Sequence, residues 1–260
     1  TTAESPYWGG NISTIAKRDP NPVELINISD KVNEGVNLST FFGHSSPSTI
    51  DIDIGYVSDP TMGYNNPGKY PTFLINGCNA GNFFSGGTSF GEDWILTANK
   101  GARNFIAHSS FGFTYSLKYY SDLFYQVGFA DSVFVKKGVG DVQKEVARQY
   151  MLAAPATMAN ITQVQQMVLL GDPAVKLFNS AKPDYEITNS SLSLESFDNK
   201  PVTATSDSFA IKIVVNNLGL VNTDPVKVKL IRTLSDGSQL TYDSLFAPVL
   251  HTDTLVFKIF

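Results

Sequence analysis

Cysteine occurs once in the 260 residues, as Cys78. A single thiol closes no internal disulfide, so no disulfide framework can hold this fold. Long apolar runs are also missing. No stretch reaches the roughly eighteen residues that a membrane-spanning helix needs. Charge is sparse: Asp, Glu, Lys and Arg make up 17% of the chain, and 19 basic against 24 acidic residues give a net charge of −5. Neither sign forms a run, so nothing points to nucleic acid or an anionic membrane surface as partner. No signal peptide is visible and the chain starts at Thr1 without a methionine, so a trimmed, processed or fragmentary chain is expected. Histidine is nearly as rare as cysteine, and neither His108 nor His251 adds a ligand at metal spacing. Ser85-Gly86-Gly87-Thr88 lacks the lysine and the helix register of a phosphate-binding loop.

What remains is a globular composition, 42% hydrophobic and rich in Asn, Ser, Thr, Tyr and Gly, which fits a secreted bacterial protein. Its length suits one large domain or two ordinary ones. After an irregular start, Val23, Ile26, Ile28 and Val32 space as one stripe of a helix that Gly35 ends. Leu38–Phe42 reads as a strand, and Ile50–Ile54 alternates with the period of one. Phe73-Leu74-Ile75 is a short apolar run of the kind that forms a buried strand, and Asn104–Ala107 is a third. Phe90–Ala98, Tyr115–Val127, Val139–Ala153 and Ile161–Val168 carry helical spacing. Strands alternating with helices argue for a parallel sheet, whose ligands bind beyond the carboxyl ends of the strands.

Those ends carry the chemistry. Leu38–Phe42 runs into Gly43-His44-Ser45-Ser46, Phe73–Ile75 into Asn76-Gly77-Cys78-Asn79, and Asn104–Ala107 into His108-Ser109-Ser110. Neighbouring parallel strands would bring the His44 imidazole to the Cys78 thiol, the pairing that makes a cysteine nucleophilic. The backbone amides of Ser45 and Cys78, each beside a strand end, are the candidate oxyanion donors. Small residues at Ala80 and Gly81 would let the backbone pass close to a ligand. Asn79, Ser109 and Ser110 are candidate substrate-binding residues, with the Phe111–Tyr115 loop as one wall. No acid that would select Arg or Lys is identifiable there. The structural alternative is a small buried Cys78 with His44 as a loop residue. No metal site is expected, although Asp51 and Asp53 are candidates for structural calcium.

Beyond Phe178 the composition changes. Residues 179–183 read as a linker, and short alternating strands at Ser191–Leu194, Ser208–Val215, Val226–Leu230 and Leu255–Phe260 follow. These suggest an immunoglobulin-like β-sandwich over residues 184–260, shorter than the roughly 100 residues usual for such domains and so expected to be truncated.

The segments Ile28–Ser46, Asn76–Phe83 and Val168–Leu177 resemble the histidine motif, the cysteine motif and the domain end of the gingipain family of cysteine peptidases. The resemblance runs over about residues 22–260. It implies a caspase-like α/β fold over residues 1–178, lacking its N-terminal part, followed by an immunoglobulin-like domain. It also implies a Cys-His dyad with Cys78 as nucleophile and His44 as acid/base, a polypeptide substrate and no cofactor. Location would be secreted or at the bacterial cell surface, in many members by the type IX route. The family's histidine is commonly followed by glycine, where Ser45 stands here. Further sheet strands, and any acid orienting His44, would lie upstream of Thr1, so the missing portion of the parent protein would be needed for activity. A peptidase-like protein that binds without turnover is the other reading.

Overall fold

The computed structural model describes residues 5–20, 23–84, 86–178, 180–198, 200–203, 206 and 208–260. It divides into two compact units, Thr14–Asn179 and a second formed by Thr1–Ser13 together with Ser180–Phe260.

In the first unit the order is β1 (Glu24–Leu25), α1 (Ser29–Glu34), β2 (Leu38–Phe42), β3 (Ile52–Asp53) and β4 (Thr72–Asn76). Then come α2 (Phe90–Leu96), β5 (Asn104–His108), α3 (Thr114–Ala130), α4 (Val139–Ala153), α5 (Met158–Gln165) and β6 (Met167–Gly171). The central sheet runs β2-β4-β5-β6. Its first three strands are parallel, and β6 returns antiparallel along β5. β4 and β5 are buried along their whole length, which is why both read as continuous apolar runs rather than alternating ones.

Alternate residues of these strands feed two cores. Phe73, Ile75, Phe105 and Ala107 pack with Val32, Phe90 and Trp94 on the side of α1 and α2. Leu74 and Ile106 pack on the other side with Leu117, Tyr120 and Phe124 of α3 and with Val142, Val146 and Tyr150 of α4. The result is a sheet between two helical layers, the class the sequence indicates. Helix α2 starts where Ser89 and Glu92 cap each other's backbone, a reciprocal capping box.

Several elements differ from the sequence reading. The stripe Val23–Val32 is not one helix: Glu24–Leu25 pairs in parallel with Ile52–Asp53, and the helix begins only at Ser29. Asn27 breaks the stripe, because its side-chain carbonyl accepts the Ser29 amide and its Nδ2 donates to the Met62 carbonyl. Ile50–Ile54 alternates, yet only Ile52–Asp53 is strand. The last helix ends at Gln165, and Met167–Gly171 becomes an edge strand paired to β5.

The second unit contains β7 (Tyr185–Glu186), β8 (Leu192–Ser196), β9 (Phe209–Asn217), β10 (Val226–Thr233), β11 (Gln239–Phe246) and β12 (Thr252–Ile259). β9 pairs with β12 on one side and with β7 and β8 on the other, while β10 and β11 form a separate hairpin. One apolar core joins the two sheets, with Phe209, Ile213, Leu255 and Phe257 facing Val228, Leu230 and Phe246. β11 is absent from the sequence reading because Gln239–Phe246 carries Thr, Tyr, Asp and Ser among its apolar residues.

The amino-terminal boundary also differs. The sequence reading gives residues 1–178 to one domain, but the Gly9 amide bonds the Gly219 carbonyl and the Val221 amide bonds the Tyr7 carbonyl. The leading segment is thus part of the β-rich unit.

Candidate active site

Parallel pairing of β2 with β4 ends at Phe42 opposite Asn76, and the Gly43 amide extends the ladder by bonding the Asn76 carbonyl at 3.1 Å. Two residues further along both strands stand His44 and Cys78. The two turns are fastened directly: Ser45 Oγ donates to the Cys78 carbonyl at 2.7 Å. Gly77 makes room for this bond. A Cβ there would lie 2.1 Å from Ser45 Oγ and 2.9 Å from the Gly43 carbonyl oxygen. The turn after His44 closes on itself, with the Asp51 amide donating to the His44 carbonyl and Ser46 to Thr49.

Cys78 is half-buried and His44 is exposed. Sγ of Cys78 lies against Gly112, just before α3: it accepts the Gly112 amide at 3.4 Å and its thiol faces the Gly112 carbonyl at 3.7 Å. That amide would meet charge on the sulfur if a thiolate formed, the kind of fixed donor that stabilises an anion. Among the described residues, no hydrogen bond joins the His44 ring to the sulfur. The amides of Ser45 and Cys78 donate to no described residue.

Asn79 takes a left-handed backbone (φ 59°), a conformation asparagine tolerates better than most residues. Its amide bonds the Ser110 carbonyl at 2.8 Å, joining the ends of β4 and β5. Ser109 donates its amide to Gln166, just ahead of β6. Both serines therefore serve the scaffold through their backbone, and both are half-buried. Gly81 is not open to a ligand as expected from its size. A Cβ on it would fall 2.5 Å from the Ala107 carbonyl oxygen, so its smallness serves close packing on β5.

His108 is buried under the same edge, and its Nδ1 lies 2.8 Å from the Ser110 carbonyl. Nδ1 must therefore carry the proton, since a carbonyl can only accept. Burial holds the pKa of His108 below the ordinary histidine range. Its Nε2 and the Oδ1 of Asn76 are buried without a hydrogen-bond partner among the described residues. His108 thus supports the Ser110–Gly112 turn from beneath rather than lining the cleft.

The calcium candidates are otherwise engaged: Asp51 pairs with Lys17 at 2.8 Å, and Asp53 accepts the Gly55 amide. Among the described residues no group of three or more His, Cys, Asp or Glu side chains could hold a metal ion. None of the described helices is long and apolar enough to cross a membrane.

Sequence reasoning had no means of finding the contact of Gly112 with the sulfur, because 34 residues separate the two. The visible trace is a glycine set between two phenylalanines just past a strand end.

A half-buried thiol thus stands at the carboxyl edge of a parallel sheet, its turn tied through Ser45 to the turn that bears His44. The sequence pattern of peptidase family C25 matches residues 1–178, and the chain belongs to that family, the gingipain family of cysteine peptidases. Its fold is similar to that in the complex of Porphyromonas gingivalis RgpB pro- and mature domains, with 14% identity and a TM-score of 0.51 over 86% of this chain and 57% of that one. It is likewise similar to the Arg specific cysteine proteinase gingipain R (RGPB), with 13% identity and a TM-score of 0.51 over 92% of this chain and 56% of that one. The chain therefore spans a little over half the length of the solved structures it matches. No curated protein matches it.

Proposed function

We propose that this chain carries the catalytic centre of a secreted cysteine endopeptidase, with Cys78 as nucleophile and His44 as acid/base. The observation that carries the reading is the Ser45 Oγ bond to the Cys78 carbonyl, beside a β2–β4 register that runs on to His44 and Cys78. Imidazole takes the thiol proton, and the thiolate adds to the scissile carbonyl. The resulting oxyanion is met by the open amides of Ser45 and Cys78. Imidazolium then protonates the departing amine, leaving a thioester on Cys78. Water, deprotonated by the same imidazole, hydrolyses the thioester and restores the thiol. Asn79, Ser109 and Ser110 flank the substrate. The protein would act outside the cell or at its surface, the type IX route being the one proposed for its export. The longer chains of the structural neighbours support a need for further portions of the parent protein.

The test is alkylation of the full-length parent protein by iodoacetamide at neutral pH. Cys78 should react at least about tenfold faster than free cysteine, and His44→Ala should remove the excess. Ordinary thiol reactivity overturns the reading.

One observation favours a second reading, a peptidase-like binding protein without turnover: His44 is exposed and makes no hydrogen bond to the sulfur among the described residues. Hydrolysis of peptide substrates that disappears in Cys78→Ala would eliminate it.

A further inference from the structure

The edge of the sheet that carries Cys78 has two properties that the proposed chemistry does not require. The segments that follow β4 and β5, residues 77–89 and 109–113, contain no Asp, Glu, Lys or Arg, and the loop after β2 carries one acid, Asp51, which is paired with Lys17. In a chain with 17% charged residues, loops are where charge normally collects. Residues 149–171, which reach the same edge through the Ser109–Gln166 bond, are also uncharged.

Within the described residues of the α/β unit, exposed phenylalanines also gather at the ends of these strands. Among the described residues of Thr14–Asn179, the exposed phenylalanines are Phe42, Phe84, Phe111 and Phe113, at 50%, 79%, 75% and 68%. Phe42 ends β2 just before Gly43-His44, Phe84 follows the Cys78 turn, and Phe111 and Phe113 flank the Gly112 that touches the sulfur. Tyr115, 82% exposed, continues the series into α3. The other phenylalanines of the unit are buried or half-buried. Apolar groups gathered at strand ends that are poor in charge mark a ligand surface rather than ordinary scatter.

We infer that this mouth selects a bulky apolar or aromatic side chain next to the scissile bond of an extended peptide, and does not select arginine or lysine. The inference rests on the peptidase reading and names its substrate class. A cationic side chain entering here would lose water and meet no carboxylate from residues 77–89 or 109–113, while Asp51 of the His44 loop is already paired with Lys17. A phenyl or isobutyl side chain would instead cover Phe111 and Phe113 and remove apolar surface from water on both partners. Phe111 and Phe113 bind substrate directly in this scheme, while Gly112 between them faces the sulfur.

Matched peptidyl chloromethyl ketones ending in Phe, Leu, Arg or Lys test this on the full-length parent protein. In each reaction the thiolate displaces chloride and forms a thioether on Cys78. Each rate is divided by the iodoacetamide rate of the same sample, which corrects for intrinsic thiol reactivity. The Phe and Leu reagents should react at least about tenfold faster than the Arg and Lys reagents. Phe111→Ser combined with Phe113→Ser should erase that preference, and Phe113→Leu should retain most of it. All these positions are exposed, and a melting curve of each variant checks its folding. Faster reaction with Arg or Lys would overturn the apolar preference while leaving the peptidase reading intact. An apolar preference indifferent to the serine substitutions would overturn the assignment to this mouth. If no peptidyl reagent outpaces its reaction with free cysteine, the peptidase reading itself fails and the inference falls with it.

Discussion

Replacing Gly77 by alanine places a methyl group where Ser45 Oγ now bonds the Cys78 carbonyl. The added Cβ would sit 2.1 Å from that Oγ, 2.9 Å from Ser45 Cβ and 2.9 Å from the Gly43 carbonyl oxygen. Relief requires Ser45 to withdraw, which breaks the hydrogen bond, and the backbone of the β2 turn to shift. Overpacking of this kind costs about 1–3 kcal/mol and the lost bond about 1 kcal/mol, so Gly77→Ala should destabilise the α/β unit by about 2–4 kcal/mol. Ser45→Gly alone loses the bond and gains backbone freedom, about 1.5–2 kcal/mol together. In the Ser45→Gly background two of the three close contacts are gone, and Gly77→Ala should then cost only about 1–2 kcal/mol. The double-mutant cycle should therefore show a coupling of about 1–2 kcal/mol. Urea unfolding followed by tryptophan fluorescence is the measurement, since Trp94 is fully buried in this unit. If Gly77→Ala costs the same with and without the Ser45 side chain, the fastening of the two turns does not exist as described.

Three other outcomes are expected. Burial lowers the pKa of His108, so in acid the unfolded chain, with an ordinary pKa of about 6.5, binds a proton more readily than the folded one. This contribution to stability is complete above about pH 6.5 and is lost as pH falls toward the lowered folded value. Melting temperatures measured from pH 7.5 down to 5 should fall less steeply in His108→Gln than in the parent, and parallel curves would refute the assignment. Asn217 is fully buried, accepts the amides of Asp184 and Gly219, and donates to the carbonyls of Leu220 and Leu250. Asn217→Ala leaves several of these groups unpaired and should cost about 3 kcal/mol or more in the β-rich unit by urea titration, whereas a loss under about 1 kcal/mol would contradict the network. A Cβ on Gly9 would meet the Asn217 carbonyl oxygen at 1.9 Å. Gly9→Ala should therefore expel the leading segment and expose its amides to hydrogen exchange, and unchanged protection at Trp8–Gly10 would refute the close approach.

The layered body was legible because its strands and helices obey different periods. Val142, Val146 and Tyr150 mark the buried face of α4, and Phe73–Ile75 has the continuous apolarity of a strand covered on both sides. The strand ends were legible because Gly43 and Gly77 punctuate them immediately before His44 and Cys78. Less readable were features decided by pairing at a distance. Met167–Gly171 follows a helix without a breaker and becomes strand only because β5 offers it an open edge. Glu24–Leu25 is strand only through two residues of β3. Gly81 looks the same in sequence whether it admits a ligand or a neighbouring carbonyl. The allegiance of Tyr7–Gly9 is set by partners more than two hundred residues away.

That last attachment alters what a cut in the chain can do. The polypeptide leaves the β-rich unit after Ser13 and rejoins it at Ser180, so the α/β unit is an insertion with two tethers. A protease nicking residues 180–183 would sever one tether and still release nothing, because Tyr7–Gly9 stays plugged into its partners. Such a molecule would run as two bands under denaturing conditions and as one species on a native column, until the plug is drawn.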